Sequence, residues 1–100
     1  MSKYTMYGRL IAKPGKRDEL AAILLQAADA LGSNPDCELY IVNISEDDPD
    51  SVWVTELWSN EAAHAASLKD EETIALIGVA RPLIAGVEPI KLKPIGGKGL

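Results

Sequence analysis

Two runs, "CELYIVNIS" at 37–45 and "SVWVTELW" at 51–58, carry apolar side chains on both of the faces that a β-strand alternates. In the first, Leu39 and Ile41 fall on one face and Tyr40, Val42 and Ile44 on the other. In the second, Val52, Val54 and Trp58 share a face with Glu56, opposite Trp53, Thr55 and Leu57. A sheet built on such strands has to be covered on both sides. A chain of 100 residues makes one domain that buries about 60–65% of its extended surface, and its helices are expected on one side only. The economical cover for the second side is a second copy, sheet against sheet, so a homodimer is expected.

The remaining segments complete the layer. "YTMYGRLIA" alternates and ends at the turn signal "KPG", which predicts a first strand over 4–12. "KRDELAAILLQAADALG" spaces Leu20, Ile23, Leu24, Ala27 and Leu31 as one helical face. Asp18 and Glu19 complement its positive end, and Gly32 is placed to stop it. The acidic link "EDDPD" is expected to be a loop joining strands two and three as a hairpin. Ser59 or Asn60 can cap a short helix reaching about Leu68, and Asp70 can cap a third helix that Pro82 limits. "VEPIKLKPI" alternates Ile90 and Leu92 against Lys91 and Lys93, predicting a fourth strand, and "GGKGL" reads as a flexible tail. The expected domain therefore spans 1–95, with 96–100 as the tail. The order β-α-β-β-α-α-β is that of an α+β, ferredoxin-like subunit with a four-stranded antiparallel sheet.

Composition narrows the partners. The net charge is −5, and the ten Lys and Arg residues are scattered and outnumbered by fifteen acids, which argues against nucleic acid or an anionic membrane. Lys3 and Arg9 interrupt the N-terminal apolar stretch, so no signal peptide is expected. The longest uncharged apolar run, "TIALIGVA", is far short of a membrane span, and a cytoplasmic location is expected. One cysteine, Cys37, and one histidine, His64, cannot complete a four-ligand zinc site, so no metal is expected. Cys37 reads as a small buried residue in preference to a reactive thiol.

Nearly the whole chain then bears a resemblance. "GRLIAKPGKRDEL", "NPDCELYIVNISEDDPDSVWVTELWSNEAAH" and "SLKDEETIALIGVARPLI" are together similar to the antibiotic biosynthesis monooxygenase family. The K-P-G-K turn, the P-D-C-x-x-Y start of strand two, the D-D-P-D link and the E-L-W-S-N-E-A-A junction fall where that family has them. The resemblance implies a dimeric α+β barrel that oxygenates a small phenol, quinol or polyketide-like ring with molecular oxygen, without metal or organic cofactor. A deprotonated phenol can itself pass an electron to O₂, so such a protein need only bind, remove a proton and exclude water. Many members carry a histidine nine residues after the tryptophan. Here that position is Ser67, and the histidine lies three residues earlier at His64. No histidine lies near residue 68, where the haem-degrading relatives would hold haem, so haem is not expected.

Each candidate has a functional and a structural reading. His64 is the candidate general base, since histidine titrates near neutrality, and it could equally bond Glu61 or Ser67 on a helix surface. Trp58 and Tyr40 could wall a cavity for a flat ring, or Trp58 could simply fill the core. Glu56, on Trp58's face, is expensive there unless paired, and could contact substrate, accept a proton or form an interface ion pair. Arg81 could bind an anionic substrate oxygen, or serve as a partner to the helix dipole. Trp53 faces away from Trp58 and suits the dimer interface. The competing functional class is a dimeric protein that binds a small apolar molecule without transforming it. A closed chamber of about 300 Å³ or more around an inward His64 favours either of these over a domain that only associates.

Overall fold

The computed structural model describes residues 3–100. In chain order the elements are β1 (Tyr4–Ala12), α1 (Arg17–Leu31), β2 (Cys37–Ser45), β3 (Asp48–Trp58), α2 (Glu61–Ser67), α3 (Glu71–Ala80), a single 3-10 turn (Arg81–Leu83) and β4 (Ile84–Leu92). The four strands form one antiparallel sheet in the order β2-β3-β1-β4. This is the α+β, ferredoxin-like arrangement that the element order predicts.

The helices start and stop for local reasons. Asn60 accepts a hydrogen bond from the Ala63 amide at 2.7 Å, and Asp70 accepts one from Thr73, so both short helices begin at side-chain caps. At the end of α1, Gly32 keeps ordinary right-handed geometry and its amide bonds the Asp29 carbonyl. A Cβ there would lie 3.1 Å from that carbonyl oxygen, so close approach, and not a left-handed turn, favours glycine at this position.

Two boundaries differ from the sequence expectation. The acidic link is not a five-residue loop, because only Glu46 and Asp47 turn and Asp48 already pairs with Ser45. The slack between them is taken up by a register shift in which Pro49 sits, a position that tolerates its missing N–H. Arg9 from β1 anchors the segment by bonding Asp48 at 3.0 Å. The fourth strand runs over Ile84–Leu92 and stops before Lys93 and Pro94. Its limits follow its partner, since Thr5 near the start of β1 pairs with Leu92.

One face of the sheet is the core. Cross-strand register places Leu10, Val52 and Ile44, then Gly8, Val54 and Val42, on this side. Leu20 of α1 packs with Val52, Ala12 and Ala80 at its centre. The opposite face holds Tyr7, Leu39, Ile41, Trp53, Ile90 and Leu92, all exposed, with Trp53 at 39% and Ile41 at 45%. At its middle Arg9 lies 5.3 Å over the Trp53 ring and bonds Ser51, Asp48 and Glu88. Among the described residues no helix is long and apolar enough to cross a membrane.

Candidate functional site

α3 packs on α1 and on the 3-10 turn, and a space is left among α1, α3 and the sheet. A chamber of about 150 Å³ remains there. Leu24 and Ala27 of α1, Leu76 and Ile77 of α3, and Leu10 and Ile84 of the sheet supply much of its apolar wall. Its polar end is made by Tyr40, Glu56, Trp58 and His64. Glu56 and His64 are the only side chains lining it, among the described residues, that could carry charge near neutral pH.

The strand-to-helix junction assembles that end. Alternation along β3 puts Glu56 and Trp58 on the helix side, and register sets Tyr40 of β2 opposite Glu56 and Tyr4 of β1 opposite Trp58. The Asn60 cap then turns the chain back over the sheet, and one turn later His64 points inward, 8% exposed. Its ring meets Trp58 edge-on at 5.4 Å and Tyr4 at 5.1 Å and 35°. The surface reading of His64 therefore does not hold. Ser67 bonds its backbone carbonyl at 2.6 Å, leaving the imidazole to the interior.

The Trp58 indole N–H donates to Glu56 Oε1 at 3.0 Å. The same oxygen lies 3.7 Å from His64 Nε2, beyond hydrogen-bond range. Burial raises the Glu56 carboxyl above its ordinary value, and the Trp58 bond pulls it partly back. Burial first, and then Lys91, lower His64, while Glu61 opposes them. An imidazole held in this way is neutral near pH 7 and free to accept a proton. Burial also pushes the Tyr40 phenol up, so that group stays protonated.

The structure thus brings together four of the five residues singled out from sequence: His64, Glu56, Trp58 and Tyr40. Arg81 does not join them. It opens the 3-10 turn on the exposed surface and does not line the chamber. Tyr4 was missed, although its buried hydroxyl lacks a hydrogen-bond partner and its ring supports His64. Only the β1–β3 register reveals it. Of the two conditions set out above, the inward His64 is met and the volume is not, since the chamber's 150 Å³ is half of about 300 Å³; it equals that of a cavity able to hold one benzene-sized ring. It adjoins a second, more polar hollow of about 450 Å³, with which it shares the lining residues Leu31, Ser67 and Thr73.

Comparison with known proteins agrees with this architecture. No curated protein matches the chain. Among solved structures, a protein of Chloroflexus aurantiacus J-10-fl, provisionally named an antibiotic biosynthesis monooxygenase, is 40% identical over 98% of both chains, with a TM-score of 0.88. A similarly named Bacteroides protein is 18% identical over 98% of this chain and 93% of its own (TM-score 0.87), and a Mycobacterium tuberculosis protein is 17% identical over 98% and 100% (TM-score 0.87). Those two likenesses concern the fold. The sequence model of the antibiotic biosynthesis monooxygenase family matches residues 4–77, and with the 40% relative this makes the chain a member of that family.

Proposed function

We propose that the protein is a monooxygenase that oxidises a single phenolic or quinol ring with O₂ in this chamber, with the ring itself as the source of electrons. The observation that supports it most directly is the pairing of one neutral, inward histidine with one carboxylate at the end of an apolar chamber of about 150 Å³. His64 takes the ring hydroxyl proton, and Trp58 and Tyr40 wall the ring. The resulting phenolate reduces O₂. One oxygen atom bonds to a ring carbon and ends as a carbonyl, while the other leaves as water with the C–H and O–H hydrogens, so a phenol yields a quinone with no further reductant. The apolar walls keep water from the intermediates.

Oxygen uptake tests this reading. Purified protein with a panel of simple phenols and hydroquinones is expected to consume about one O₂ per ring, the ratio set by the balance above, and to release a quinone from a phenol and a hydroxyquinone from a hydroquinone, with water and not hydrogen peroxide as the second product. Saturable binding of the same compounds with no uptake above the protein-free rate would instead identify a binding protein.

The exposed sheet face supports a homodimer as the working form. Six large apolar side chains on one side are more than a lone subunit ordinarily leaves in water. The charges among them are already satisfied within the chain, Arg9 bonding Asp48 and Glu88, so a second copy meets a largely neutral surface. Wild type is expected to sediment as a dimer at micromolar concentration, and Trp53→Glu with Ile41→Glu as a monomer of unchanged circular dichroism. A monomeric wild type in that run ends the dimer reading.

A further inference from the structure

We propose that Glu56 selects the substrate: in the resting complex the free oxygen of its carboxylate accepts the hydrogen bond of a ring hydroxyl, before that O–H turns to the neighbouring His64 and gives up its proton, so the chamber takes uncharged hydroxylated rings and turns away carboxylated ones. This rests on the reading of the chamber as the substrate site. The argument begins with unfilled bonding capacity. A carboxylate offers about four acceptor positions, and the Glu56 side chain is only 12% exposed. Oε1 receives the Trp58 indole N–H. No group among the described residues donates to Oε2: the Tyr40 hydroxyl, across the strand, does not bond it, and His64 Nε2 approaches the other oxygen without reaching bonding distance. Oε2 is not sealed from solvent, since Tyr4 Oη is the one buried side-chain polar atom without a partner among the described residues, so a ring hydroxyl that fills the chamber takes the place of water as its second donor.

The charge of the surroundings points the same way. No Lys or Arg lines the chamber, and Lys91, whose charge reaches His64, is paired with Glu61, so a ligand carboxylate placed beside Glu56 meets like charge with no cation in the lining to offset it. The adjoining hollow, which shares Leu31, Ser67 and Thr73 with the chamber, is lined by Asp36, Asp70 and Glu72 and again by no cation. Arg81, the one cation that sequence placed near the site, lies outside both. An anionic ring is therefore opposed at the end wall and by the acids of the adjoining hollow, while a neutral phenol is opposed by neither.

Three ligands of matched size separate donor from charge: para-cresol, para-xylene, which replaces the hydroxyl by a methyl, and para-hydroxybenzoate, which replaces the methyl by a carboxylate. Their binding is measured calorimetrically under argon, so oxidation plays no part. Wild type is expected to bind para-cresol about tenfold more tightly than either of the others, although para-xylene is the more hydrophobic ligand. In Glu56→Gln the preference over para-xylene is expected to fall to within about threefold, and that over para-hydroxybenzoate to shrink by the share that Glu56 contributes. Para-xylene binding wild type as tightly as para-cresol overturns the proposal whether or not the variant folds. So does failure of all three to bind, or a penalty on para-hydroxybenzoate that is undiminished in a folded Glu56→Gln. Para-cresol that binds selectively, with no ring of the phenol and hydroquinone panel oxidised in air, leaves the selection intact and removes the oxygenase reading.

Discussion

Trp58→Ala is expected to destabilise the protein by about 3–5 kcal/mol, a large share of the roughly 5–15 kcal/mol that holds a domain together. Trp58 is fully buried, lies opposite Tyr4 in the sheet and packs edge-on against His64. Its loss merges a new void with the existing chamber, so the walls have little to collapse onto. Trp58→Phe separates the ring from its N–H. It keeps much of the apolar volume and removes the donor to Glu56 Oε1, a loss of about 1–3 kcal/mol for a buried acceptor left unpaired. That second loss depends on pH. Burial raises Glu56 above its ordinary 4.5, so the folded state holds a proton that the unfolded state has released, and stability falls as pH rises through the interval above 4.5. Without the Trp58 donor that interval extends upward. Urea unfolding is therefore expected to show a larger gap between wild type and Trp58→Phe at about pH 7 than at about pH 4, where both states approach full protonation. An equal gap at both values means that the Glu56 bond contributes nothing.

Much of the fold was legible because it depends on local rules. The spacing of Leu20, Ile23 and Leu24 marks α1, Asn60 and Asp70 cap where short polar side chains should, and the two-faced strands imply a sheet with one side left bare. The errors lie where pairing overrides local pattern. Ile90 and Leu92 alternate with Lys91 and Lys93, so the eye extends the strand to Ile95, yet β4 ends where β1 stops offering partners. Asp48, Pro49 and Asp50 look like loop and are strand, because a register shift absorbs the proline and Arg9 fixes Asp48. The site divides in the same way. Alternation alone placed Glu56 beside Trp58, and the helix turn carried His64 back over both. Two things were out of reach: the contact of His64 with Tyr4, which needs the β1–β3 register, and the exclusion of Arg81. An arginine at a helix end looks available for a ligand, but Pro82 turns the chain through a 3-10 turn into β4 and leaves Arg81 on the surface.

His64→Asn is expected to lower kcat/KM for a phenolic substrate by about 10²–10⁴-fold, while para-cresol binding changes by less than about threefold, as suits a group that moves a proton and does not supply affinity. The wild-type pH profile carries its signature. The groups around the imidazole are Glu56 from β3, Tyr4 from β1, Lys91 from β4 and Glu61 on its own helix. Burial and Lys91 together outweigh Glu61 and hold His64 below its ordinary 6.5. The accepting form therefore persists to lower pH than in a free histidine, and the acid limb of kcat/KM is expected below 6.5. Stability follows the same proton. Below 6.5 the unfolded chain gains a charge at His64 that the folded chain resists, so this residue's contribution is complete above 6.5 and declines as pH falls toward the folded value. In His64→Asn the acid limb should vanish from the rate profile, and the matching decline should vanish from the stability profile. A limb that remains in the variant belongs to Glu56, whose raised carboxyl also titrates on the acid side. In that event the carboxylate, already proposed to hold the ring hydroxyl, is the proton acceptor as well, and His64 is reduced to packing against Trp58 and Tyr4.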